Sequence, residues 1–116
     1  MARGTIRNVS WIKAARKDFE AFPVGARNRA LDALTIVANG GTPDVAKPLS
    51  GLGAGVWELA IKERGDAFRV IYALQLGADI WVVHAFQKKS TKGIATPVHE
   101  IELVRARIKR LKELLA

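Results

Sequence analysis

Five side chains able to hold phosphate or move protons lie in the second half of the chain: Lys62, Arg69, His84, Lys88 and Lys89. Side chains two residues apart on a strand share a face. Glu58, Ala60 and Lys62 therefore point away from Trp57, Leu59 and Ile61, and Arg69 points away from Phe68, Val70 and Tyr72. His84 and Lys88 share parity near the end of a third strand-like run. The pattern predicts Lys62, Arg69, His84 and Lys88 on one sheet face, away from the helices.

Such a set suits metal-free cleavage of RNA. The 2′-OH attacks its own phosphodiester, which needs a base for its proton, cations over the transition state and an acid for the leaving 5′-oxygen. A lysine crowded by other cations has a lowered pKa and can act as base, while an arginine stays charged. A histidine near neutrality can take either proton-transfer role. The same residues suit plain RNA binding, or a screened basic surface that keeps the protein in solution.

Charge and composition point the same way. The 116 residues carry 19 Lys or Arg against 11 Asp or Glu, a net +8, with a pI near 10.3. That excess favours a polyanionic partner. Between Asp79 and Glu100 there is no acidic residue, while Lys88, Lys89, Lys92 and both histidines, His84 and His99, fall inside that window. With 49% hydrophobic and 26% charged residues, the composition is that of one folded domain, taken as 1–116. No apolar run suits a membrane span or a signal peptide, so a cytoplasmic protein without membrane contact is expected.

Other chemistries lack their residues. The absence of Cys removes disulfides, thiolate metal sites and cysteine nucleophiles. Gly51-Leu52-Gly53-Ala54-Gly55 precedes a strand and has no following Gly-Lys-Ser/Thr, so it reads as a turn and not as a phosphate cradle. His84 and His99 have no ligand motif beside them, and no Gly-x-Ser-x-Gly elbow exists. Neither a metal nor a cofactor is expected.

The elements that must position the basic set follow from periodicity. Residues 5–12 read as a strand, 14–22 as a short helix, and a second helix starts with Pro23 in its first turn and runs to about Asn39. Its Ala30, Leu34 and Val37, with Leu31 and Ala33 beside them, should pack against Phe19 and Phe22. Residues 40–55 read as a loop. Strands at 56–63, 67–76 and 79–87 are joined by Arg64-Gly65-Asp66 and Gly77-Ala78, which predicts an antiparallel meander. A last helix begins near Pro97 with Thr96 as N-cap, and Ile101, Val104, Ile108, Leu111 and Leu115 form its apolar seam. The predicted class is α+β, order β-α-α-β-β-β-α, a small, mainly antiparallel sheet with helices on one face.

In order and spacing, four segments resemble the RelE/ParE superfamily of toxins. They are Trp57-Glu58-Leu59, Phe68-Arg69-Val70-Ile71-Tyr72, His84-Ala85-Phe86-Gln87-Lys88-Lys89 and Pro97-x-x-Glu100-Ile101-Glu102-Leu103. The nearest likeness is to the phage-derived, HigB-like branch of type II toxin–antitoxin systems. Val9-Ser10-Trp11, Arg16-Lys17-Asp18-Phe19 and Ala46-Lys47-Pro48-Leu49-x-Gly51-Leu52-Gly53 also fit, so nearly the whole chain is covered. The resemblance implies a RelE-like fold and an mRNA interferase, an endoribonuclease that cuts message in the ribosomal A site and inhibits translation. It also implies a cognate antitoxin, often a helix-turn-helix protein.

Carried over by position, Arg69 matches the family's strand arginine, Lys88 and Lys89 its basic pair, and His84 and Lys92 its nearby histidine and basic positions. RelE toxins often place two basic residues, two apart, on the preceding strand. Here Glu58 and Ala60 stand there, and Lys62 and Arg64 follow. The C-terminal tyrosine of some relatives is missing, Tyr72 being the single Tyr. A ParE-like inhibitor of DNA gyrase and a non-catalytic RNA-binding protein are the alternatives.

Overall fold

Two tight turns build the centre of the molecule. Glu63 pairs with Asp66 across Arg64 and Gly65, both at positive φ (50° and 86°), the conformation that matches the twist of a two-residue hairpin. Leu76 pairs with Asp79 across Gly77 and Ala78, again with the glycine at positive φ. The turns fold three long strands into a meander, β3 (Val56–Glu63), β4 (Asp66–Leu76) and β5 (Asp79–Lys88).

In the computed structural model, which describes residues 6–89 and 95–116, the meander gains a short strand at each side. β1 (Val9–Trp11) lies parallel to β5, and β2 (Ala46–Pro48) lies antiparallel to β3, giving the order β1-β5-β4-β3-β2. The helices are α1 (Lys13–Glu20), α2 (Val24–Ala38) and α3 (Val98–Leu115). The α+β class and the mainly antiparallel sheet are as expected. β2 lies inside the stretch read as loop; its Pro48 cannot donate to a ladder and so belongs on an edge.

One expectation is corrected. The helices do not share one face. Phe19, Phe22, Ala30, Leu34 and Val37 of α1, α2 and their junction pack on Leu59, Ile61, Phe68, Val70 and Tyr72. Val104, Ile108 and Leu111 of α3 pack on Val56, Ile71, Ala73, Val83 and Phe86, the other side of the same strands. β4 is apolar on both faces, so each face needs a cover. Leu31 is 45% exposed, off the predicted stripe.

The β4–β5 ladder also slips. Tyr72 pairs with Val82 while Ile71 pairs with His84, so Val83 is an extra residue. A bulge of this kind re-aims the residues after it. Val82 faces α1 and α2, and without the bulge His84 would too; with it, His84 turns towards α3.

The seam on α3 is shorter than its periodicity suggests. Val104, Ile108 and Leu111 are buried, whereas Leu115 is 46% exposed. Ile108→Ala should therefore lower unfolding free energy in urea by about 2–5 kcal/mol, the range for a buried aliphatic truncation. Leu115→Ala should cost less than about 1 kcal/mol.

Candidate active site

Pairing register places the basic residues before any side-chain detail is considered. On the α3 side, three rows cross the meander: Glu58–Ile71–His84, Ala60–Arg69–Phe86 and Lys62–Ala67–Lys88. Lys62, Arg69, His84 and Lys88 thus share one face, as their parity predicts. That face is covered by α3 instead of lying away from the helices. Neighbouring strands are roughly 4.8 Å apart, so Lys62 and Lys88 are separated by about 10 Å at the backbone.

Arg69 is buried, and its guanidinium donates to Glu58 Oε1 at 2.7 Å. Glu58 is buried as well, and its second oxygen accepts from the Thr96 hydroxyl at 2.5 Å. Thr96 therefore does not cap α3, whose N-cap is Pro97 with no side-chain bond; its hydroxyl ties the approach to α3 onto the sheet. Lys88 is buried at the end of β5, whereas Lys62 and Lys89 are exposed. Arg64 sits at the tip of the β3–β4 turn with its side chain 92% exposed, 3.9 Å from Glu63. Lys92 lies outside the described residues.

His84 is held from both sides. Arg107 can only donate, so its 3.1 Å contact makes His84 Nδ1 an acceptor, and the ring proton sits on Nε2, 2.7 Å from Glu100 Oε1. The ring stacks on Phe86 with centroids 5.1 Å apart. Burial lowers the His84 pKa; the Glu100 carboxylate pulls it back only in part, and Arg107 opposes protonation. A neutral imidazole bridging β5 to α3 is the result. Tyr72 lies on the opposite, α1–α2 side, with burial raising its pKa to about 12, so it does not stand in for a tyrosine near this cluster.

A cleft of about 620 Å³ opens beside the end of β5, lined by Lys88, Lys89, Thr96, His99 and Glu100 among others. His99 is exposed, 3.5 Å from Glu100 Oε2. Sequence reasoning missed the roles of Glu58, Glu100 and His99 here. The signal for the last two was the Pro97-x-x-Glu100 segment, which opens α3 towards β5. Among the described residues, no three His, Asp or Glu side chains converge as a metal would require.

Residues 17–109 match the model of a family described as phage-derived protein Gp49-like (DUF891). The chain belongs to that family. Its fold is shared with a doubly substituted variant of the E. coli toxin RelE in the free state, at TM-score 0.60 and 15% identity over 90% of this chain and 97% of that one. The isolated E. coli RelE toxin superposes with TM-score 0.57 and 16% identity, over 86% of this chain and 98% of that one. The RelE likeness expected from the motifs is thus borne out in the fold. A search of curated protein sequences finds no match.

Within this Gp49-like chain, the buried pair and the held histidine each predict a measurable effect. Glu58→Ala leaves Arg69 charged and buried, and should cost about 3–5 kcal/mol in urea unfolding. The double substitution Glu58→Leu/Arg69→Met should recover most of that loss. His84 binds its proton less tightly folded than unfolded, so stability is present above the ordinary histidine pKa of about 6.5 and falls as pH drops below it. Urea midpoints measured between about pH 7.5 and 5.5 should fall for the wild type, and His84→Gln should flatten that slope.

Proposed function

We propose that this protein is the toxin of a type II toxin–antitoxin pair, a metal-independent endoribonuclease that cuts message on the ribosome and so inhibits translation in the cytoplasm. The observation that carries this reading is the row Lys62–Ala67–Lys88 beside Arg69, four neighbouring positions on one face of a RelE-like sheet that bring three cations together. A cognate antitoxin, of the helix-turn-helix kind the resemblance implies, would neutralise it. The segments Trp57-Glu58-Leu59, Phe68–Tyr72 and His84–Lys89 resemble those of the HigB-like branch of such toxins.

The chemistry assigned is transfer within the RNA. The 2′-oxygen attacks phosphorus while the P–O5′ bond breaks, leaving a 2′,3′-cyclic phosphate and a 5′-hydroxyl. Lys62, exposed at the end of β3, takes the 2′ proton in its neutral amine form. Arg69, Lys88 and Lys89 offset the charge growing on the phosphoryl oxygens, and Arg64 and Lys92 hold the flanking strand. His84 delivers a proton to O5′ only as the imidazolium, once Arg107 leaves Nδ1 free to be protonated and Glu100 releases Nε2. Removing one such cation or proton donor commonly costs about 10²–10³ in rate.

One observation favours a second reading. Glu58 occupies a position that is basic in many RelE toxins, and it is ion-paired with Arg69 at 2.7 Å. A ParE-like inhibitor of DNA gyrase, or an RNA-binding protein without catalysis, would tolerate that pairing. Expression with and without the adjacent open reading frame separates the cases. Discrete cuts in ribosome-bound message, suppressed by the adjacent product, support the nuclease; lost supercoiling without cuts supports gyrase inhibition; no effect on growth leaves binding alone. For the nuclease, Lys62→Ala should slow cutting by about 10²-fold or more, and a 2′-deoxy nucleotide at the cut site should abolish it.

A further inference from the structure

A second cleft lies at the other end of α3, away from the lysine row. It encloses about 280 Å³ between the end of β1, the start of β5 and the C-terminal half of α3. Ile12, Trp81, Leu111 and Leu114 form its walls, and Arg107 and Arg110 stand over it. Its volume is below the roughly 300–1,000 Å³ of small-molecule pockets and suits one or two large apolar side chains. Leu114 is 68% exposed although it borders this hollow, and Leu115 beside it is 46% exposed.

The two arginines differ. Arg107 is fixed, donating to Val83 O at 3.0 Å and to His84 Nδ1. Arg110 is exposed and makes no ion pair or hydrogen bond among the described residues. An apolar hollow with an unpaired cation at its rim asks for an apolar side chain carried beside a carboxylate. A nucleobase fits less well, because its polar edges would meet Ile12, Leu111 and Leu114 and find partners only at the rim. A net charge of +8 adds long-range attraction for an acidic partner.

We infer that this cleft is a docking site for an acidic segment of the cognate antitoxin, which seats a large apolar residue against Trp81 and Leu114 and places a carboxylate on Arg110. The inference rests on the toxin reading above and adds the contact surface. Arg107 belongs both to the cleft and to the clamp on His84, so the partner touches the sheet face that carries the candidate site without covering the lysine row.

The test uses the purified full-length chain and the purified product of the adjacent open reading frame. Leu114→Glu and Arg110→Glu change exposed positions, so thermal melting should match the wild type. Each should weaken binding to that product at least tenfold in titration calorimetry, and Lys47→Glu, a charge reversal on the β2 edge, should leave it within twofold. In cells, both variants should still cut message and should no longer be neutralised by the adjacent product. Affinity within twofold of wild type for both variants overturns the docking site. Loss of message cutting with antitoxin binding intact overturns it too, and assigns the cleft to RNA. Failure of the wild-type chain to bind the adjacent product overturns the toxin–antitoxin reading itself, and the docking site with it.

Discussion

The ion pair of Glu58 and Arg69 is the constraint around which the α3 side of the sheet is arranged. Both side chains are buried, at 3% and 7% exposure, between strands that are apolar on either face. A buried carboxylate must have its lone pairs satisfied, because desolvation otherwise outweighs the attraction to its partner. Arg69 serves one oxygen and Thr96 the other. The Thr96 contact fixes where the chain enters α3. From there Glu100 and Arg107 reach the two nitrogens of His84, and Val104, Ile108 and Leu111 close over the sheet. Polar and apolar contacts thus agree on a single position for the helix.

That arrangement shapes the cation set. Arg69 is paired inside, Lys88 is buried at the strand end, and Lys62 and Lys89 are exposed. On the proposed reading, the inner cations form a fixed positive floor and the outer lysines meet the RNA. Preorganised charge of this kind needs little rearrangement when the transition state forms. The cost is a carboxylate within the site, which draws part of the field of Arg69. On that reading Glu58 would set how strongly Arg69 acts on a phosphate; Arg107, which contacts His84, also lines the cleft at the far end of α3.

Much of this was legible from residue order. Alternation in Trp57–Lys62 and Phe68–Tyr72 gave the facing of Lys62 and Arg69, and the Arg64-Gly65 turn gave the meander. Ordered segments shared with RelE-like proteins anticipated the fold, which the family match and the superpositions support. What alternation could not give was the bulge at Val83, which puts Val82 and His84, of the same parity, on opposite faces. Nor does the seam of α3 say which side of the sheet it covers; that follows from Ile71, Ala73 and Val83, which leave a second apolar face needing cover. The pairing of Arg69 with Glu58 was hidden because the two are diagonal neighbours in the ladder, eleven residues apart in sequence. Cations read singly look available, and their carboxylate partners emerge only from register.

On the proposed reading, this cation face carries out metal-free, intramolecular cleavage of RNA. The chemistry of the cut ends tests it most directly. Message recovered from ribosomes incubated with the purified protein can be analysed by mass spectrometry of its termini. The expected products are a 2′,3′-cyclic phosphate on the upstream fragment and a 5′-hydroxyl on the downstream one. Fragments ending in 3′-hydroxyl and 5′-phosphate would mean that water or another external nucleophile attacked, and would contradict it.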